Sequence, residues 1–151
     1  MANRRMRILL VEDNPADVEF TRQAFSEAGV RHRLDVAADG DEALSHLRRQ
    51  NGHAGAERPD LVLLDLNLPG TDGREVLKAV KGDAALRNIP VVVLTSSASP
   101  QDVDRCYELH ANAYVVKPLI FDRLVDIVGQ VARFWAGTVT LRDPPSVPPA
   151  G

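Results

Sequence analysis

Five side chains of this sequence have the types needed for anion and metal chemistry, and they stand at four separate points along it. The acid pair Glu12 and Asp13 follows the apolar run 8–11. Asp65, with Asn67 two residues on, follows the run 61–64. Thr95, Ser96 and Ser97 follow 91–94, and Lys117-Pro118 follows 114–116. Three carboxylates brought to one place repel one another and resist joint ionisation. Lys117 together with a hard divalent cation would compensate them. Oxygen donors without His or Cys suit Mg2+, which keeps several waters and is held by one or two carboxylates. A phosphoryl oxygen would complete its shell, and the cation would neutralise charge on the transferring group. Lys117 would pair with that group as a point charge, and the Thr95 hydroxyl would donate to another of its oxygens. Taken singly, each residue has an ordinary explanation: Asp13 could cap the helix that starts at Pro15, and Lys117-Pro118 alone carries no signal. Their coincidence after four different strands is what points to a site.

That coincidence requires elements that bring the four points together. The runs 8–11, 61–64, 91–94 and 114–116 do not alternate with polar residues, so each is expected to be buried on both faces, as in a parallel sheet. A weaker run covers 34–38. Asn14-Pro15 reads as an N-cap followed by proline at the first helical position, with the helix reaching Ala28 before Gly29. Shorter helices are expected over 41–49 and 74–81. Ser99-Pro100 repeats the start signal, with Asp102 as a capping-box acid and an end near His110. A last helix over 121–135 carries Leu124, Ile127, Val128, Val131, Phe134 and Trp135 at helical spacing.

The order is strand-helix five times over, which predicts an α/β, doubly wound, flavodoxin-like (βα)5 sheet in the order 2-1-3-4-5. Ligands in such sheets bind beyond the carboxyl ends of the strands. With strands 1 and 3 adjacent, Glu12, Asp13 and Asp65 converge. Residues 50–59 read as a surface insertion and 1–137 as the domain. The segment 138–151, which holds four of the ten prolines, reads as an extended or disordered tail.

The 151 residues carry a net charge of -3, which gives no support for a nucleic-acid or anionic-membrane partner. No stretch approaches the ~20 apolar residues of a membrane span. The run after Arg4, Arg5 and Arg7 is too short for a signal peptide, so a cytoplasmic location is expected. Cys106 stands alone and reads as packing. His32, His46, His53 and His110 show no ligand spacing. Gly70 and Gly73 read as turn residues with positive φ.

VEDNPAD at 11–17, LVLLDLNLPGTDGREVL at 61–77, IPVVVLTSS at 89–97 and AYVVKP at 113–118 together resemble the receiver domains of two-component response regulators. The resemblance runs from Arg7 to about Trp135. It implies that Asp65 is the phosphoacceptor. It also implies that Asp13, Asp65 and the backbone carbonyl of Asn67 bind Mg2+ directly, with Glu12 supporting the ion through water. Thr95 takes the place of the switch hydroxyl, Lys117 of the phosphoryl-binding lysine, Tyr114 of the aromatic rotamer switch, and Pro118 of a proline after a cis peptide. The implied protein is a signalling phosphoacceptor rather than an enzyme. It is charged by a sensor histidine kinase, promotes its own phosphorylation and dephosphorylation, and has no output domain in the chain.

NLPG at 67–70, YELHANAY at 107–114, the 50–59 loop and the Phe134-Trp135 ending resemble single-domain regulators of phytochrome-type kinases. That likeness implies a homodimer through helix 4, strand 5, helix 5 and the C-terminal region. Trp135 is equally well read as core filler. Two other classes share the fold. A flavodoxin-like cofactor binder needs a phosphate-cradling Ser/Thr/Gly loop where Glu12 and Asp13 stand. An Asp-nucleophile phosphatase needs an acid where Asn67 stands. A receiver that is never phosphorylated is disfavoured because no site residue is missing.

Overall fold

A computed structural model describes residues 5–135. Strands β1 (Met6–Val11), β2 (His32–Ala37), β3 (Leu61–Leu64), β4 (Val91–Thr95) and β5 (Ala113–Val116) form one parallel sheet in the order β2-β1-β3-β4-β5. Helices α1 (Pro15–Ala28), α2 (Gly40–Arg48), α3 (Gly73–Gly82), α4 (Pro100–Glu108) and α5 (Phe121–Arg133) alternate with them. The expected flavodoxin-like architecture and strand order are therefore present.

β1, β3 and β4 carry continuous apolar runs because both sides of the sheet are covered. Leu9, Val11, Leu64 and Val93 pack with Leu47, Leu77 and Cys106 on the side of α2, α3 and α4. Ile8, Leu10, Leu63 and Leu94 pack with Phe25, Leu124 and Val128 on the side of α1 and α5. β5 departs from the expectation of burial on both faces. It is the edge strand, none of its residues is fully buried, and Val116 is 44% exposed. Trp135 joins the core against α1 and α5, which favours the core-filler reading, while Phe134 beside it stays exposed.

Local chemistry sets the helix ends. The Asn14 carboxamide accepts from the amides of Ala16 and Asp17 at 2.9 and 3.2 Å, Pro15 opens α1, and Gly29 closes it with φ +74°. The 50–59 insertion folds back on itself through His53 N to Gln50 O and Ala56 N to His53 O, and Arg58 donates to Ala85 O. The expected tail at 138–151 lies outside the described residues. The peptide bonds among the described residues are trans, Lys117–Pro118 included, so the cis bond expected before Pro118 is not formed. Trans is the lower form of an X–Pro bond by roughly 0.5–1 kcal/mol. In that form β5 already delivers the Lys117 amide to Thr95 O at 2.6 Å.

The fold brings His46 on α2 against His53 of the insertion, with ring centroids 5.4 Å apart. His46 is buried, and its Nε2 has no hydrogen-bond partner among the described residues. Burial holds its pKa below the ordinary value, with Asp35 and Glu42 opposing and His53 and Arg33 reinforcing. The unfolded chain therefore takes up this proton first as pH falls. Stability is full above about pH 6.5, falls below it, and stops falling once pH is under the lowered native pKa. His46→Leu is expected to flatten the pH dependence of chemical denaturation between pH 5 and 7; an unchanged slope contradicts this account.

Candidate functional site

Register aligns the carboxyl ends of four strands. Val11 lies level with Leu64, Leu64 with Val93, and Thr95 with Val116. The chain leaves each strand at the same edge, held by Glu12 N to Ala37 O, Asp65 N to Val11 O and Lys117 N to Thr95 O. Glu12, Asp13 and Asp65 converge there, with one carboxylate oxygen from each within 4.8 Å of the others.

Their environments differ. Glu12 is 3% exposed and accepts a 2.7 Å hydrogen bond from Lys117 Nζ. Burial pushes its carboxyl above the usual range, the Lys117 ammonium pulls it back, and Asp65 adds to the rise. The net direction is upward, because a side chain buried this deeply loses more hydration than one cation restores. Asp13 is exposed and Asp65 half-buried. Among the described residues no basic side chain pairs with either. Asn67 N lies 3.4 Å from Asp65 Oδ1.

Lys117 therefore compensates one acid of three. The two remaining carboxylates, side by side and all-oxygen, fit a hard divalent cation of the Mg2+ type.

Thr95 is fully buried at the end of β4, and its Oγ1 lies 3.5 Å from Ser97 N. Tyr114 on β5 is half-buried and donates its hydroxyl to Ser97 O at 2.8 Å. Pro118 follows Lys117 on the half-buried chain leading to α5. Glu12, Asp13, Asp65, Thr95 and Lys117 thus lie together at the carboxyl end of the sheet.

Sequence reasoning missed two partners. Gly73 was read as a positive-φ turn residue, but among the described residues the glycines with positive φ are Gly29, Gly52 and Gly70. Gly73 instead permits close approach: a Cβ there would stand 2.2 Å from Asp65 O. Arg74 was not singled out, and it ties α3 to Asp102 of α4. Asp102 was expected to complete a capping box with Ser99, and its carboxylate goes to Arg74 and Ser97 instead.

A parallel sheet with this acidic edge, a buried hydroxyl and a lysine defines a receiver-type switch domain. The sequence pattern of the response regulator receiver domain matches residues 8–129, and the chain belongs to that family. It is 43% identical to response regulator Rcp1 of Synechocystis sp. over 134 residues, which span 89% of this chain and 91% of Rcp1. The crystal structure of the phosphorylated cyanobacterial phytochrome response regulator RcpA superposes with a TM-score of 0.87 at 44% identity, covering 92% of this chain and 99% of that one. The Mn2+-bound form of Rcp1 gives 0.84 at 42% identity, covering 91% and 99%. This is a signalling domain of two-component type. Among the described residues no helix is long and apolar enough to cross a membrane.

Proposed function

We propose that this domain is a phosphorylation-activated response regulator that accepts a phosphoryl group on Asp65 from a sensor histidine kinase. The observation that carries the reading is the meeting of Glu12, Asp13 and Asp65 at one edge, with a single lysine to offset them. An Asp65 carboxylate oxygen attacks the phosphorus of a phosphohistidine. The P–N bond breaks, an acyl phosphate forms on Asp65, and the imidazole leaves with the electron pair. Asp13, Asp65 and the Asn67 backbone carbonyl would hold Mg2+, with Glu12 in support. When bound, the ion neutralises charge on the transferring phosphoryl group.

Lys117 exchanges Glu12 for a phosphoryl oxygen, and Thr95 donates its hydroxyl to another. Tyr114 follows Thr95, so that added charge shifts the surface of α4, β5 and α5. The likeness to a phosphorylated regulator and to a divalent-metal-bound one supports this sequence of events. The likeness to a phytochrome response regulator supports a phytochrome-type kinase as the donor, with a cytoplasmic location as part of the same proposal. The exposed apolar side chains Tyr107, Val116, Leu119, Ile120 and Phe134 favour a homodimer through α4, β5 and α5.

The test is incubation with a small phosphodonor such as acetyl phosphate. A mass increase of one phosphoryl group is expected with Mg2+ and none after chelation. Equal incorporation in both would contradict the reading.

A further inference from the structure

We propose that Arg74 and Asp102 are positioning residues for the switch step: their ion pair bridges α3 and α4 and holds the β4–α4 loop through Ser97, so that the loop is already ordered when Thr95 turns to the phosphoryl group. The proposal rests on the phosphorylation reading above.

The contacts form a continuous chain. Arg74 Nη2 and Nε donate to Asp102 Oδ1 at 2.5 and 3.2 Å, and Nη1 lies 3.1 Å from both oxygens of Asp72, the cap of α3. The other oxygen of Asp102 accepts the Ser97 hydroxyl at 2.6 Å. The Ser97 carbonyl takes the Tyr114 hydroxyl at 2.8 Å, and the Ser97 amide faces Thr95 Oγ1 at 3.5 Å. Ser97 Oγ also accepts from the Ser99 amide at the start of α4. One residue of the loop thus touches both switch side chains, and its hydroxyl is held by Asp102, which Arg74 of α3 grips across a 28-residue separation.

Arg74 departs from what its own helix favours, and Asp102, whose charge suits the first turn of α4, departs from the capping-box bond. A cation in the first turn opposes the helix dipole, and Arg74 stands in the first turn of α3. Asp102 has the position of a capping-box acid, yet no bond from Ser99 N reaches its carboxylate among the described residues; that amide bonds Ser97 Oγ. Local rules broken in pairs mark coupling between elements. The Ser97 hydroxyl and then Arg74 hold the Asp102 carboxyl below its usual range, and Asp102 holds the Arg74 guanidinium above its own. The side chains are 30% and 22% exposed, so solvent screens the pair only in part.

A loop ordered beforehand need not be ordered by the incoming phosphoryl group. Releasing it lowers the fraction of molecules ready to respond and weakens apparent affinity by that fraction. The experiment is a beryllofluoride titration of the full chain at saturating Mg2+, read by the NMR resonances of Thr95 and Tyr114, with Mg2+ affinity measured separately. Arg74→Gln and Asp102→Asn are each expected to raise the midpoint about three- to tenfold while Mg2+ affinity stays at the wild-type value. The double variant is expected to match the singles, because the pair acts as one unit. Arg74→Lys, which keeps the charge and loses the fork, is expected to recover part of the shift. Wild-type midpoints in both single variants, multiplicative effects in the double, or an equal loss of Mg2+ affinity would overturn the proposal. A wild type that itself fails to respond would overturn the phosphorylation reading instead.

Discussion

Asp65→Asn is expected to abolish phosphoryl incorporation and, in metal-free protein, to raise the melting temperature by about 3 °C. The two effects have one origin. In the proposed reaction Asp65 supplies the attacking oxygen, and an amide oxygen at the same place is a far weaker nucleophile. Asp65 is also one of three carboxylates with oxygens within 4.8 Å of one another, of which Lys117 pairs with Glu12. Removing its charge relieves a repulsion worth about 1 kcal/mol at this half-exposed edge. Saturating Mg2+ is expected to reverse the order of stability, since the ion binds the wild-type acids more tightly. Differential scanning calorimetry with and without Mg2+ checks this. A variant less stable than wild type in the metal-free state would mean that Asp65 is not under electrostatic strain.

Gly73→Ala is expected to destabilise the domain by at least about 3 kcal/mol, seen as a fall in melting temperature of about 10 °C. A Cβ at Gly73 would meet Asp65 O at 2.2 Å and Leu66 Cα at 2.6 Å, and both are backbone atoms that no rotamer change can move. The Gly73 amide donates to Leu66 O at 3.0 Å, so α3 cannot retreat without losing that bond. The strain falls on the peptide that carries the proposed phosphoacceptor, and phosphorylation should fall further than stability alone explains. Gly70 is the control. Its φ of +66° strains any side chain, but the space around it is open, so Gly70→Ala costs about 1–2 kcal/mol. Thermal unfolding by circular dichroism ranks the two. Equal melting temperatures for both variants would contradict the close-approach argument.

The edge of the sheet was legible because each of its members follows an apolar run. Glu12, Asp65, Thr95 and Lys117 occupy the first polar positions after their apolar runs, so strand order alone brings them together. The caps at Asn14 and Ser99 were legible because their chemistry is local. The partner of Arg74 was not: it lies on another helix, and a residue pattern within one helix carries no information about it. His46 and His53 lack ligand spacing, and only the backfolding of the insertion sets their rings together. Gly73 looked like a turn glycine because sequence cannot separate a need for positive φ from a need for space. The burial of β5 was overestimated because it was read from the apolar run alone, although the expected strand order already placed this strand at the edge with one neighbour. Lys117 was read both as compensation for the acids and as a partner for phosphate, and it pairs with Glu12.

The most direct test of the central claim is peptide mapping by mass spectrometry after incubation with a small phosphodonor, in the presence and absence of Mg2+. The account predicts one phosphoryl group, only with Mg2+, on the peptide containing Asp65. A phosphoryl group on any other residue, or the same yield without the metal, would contradict it.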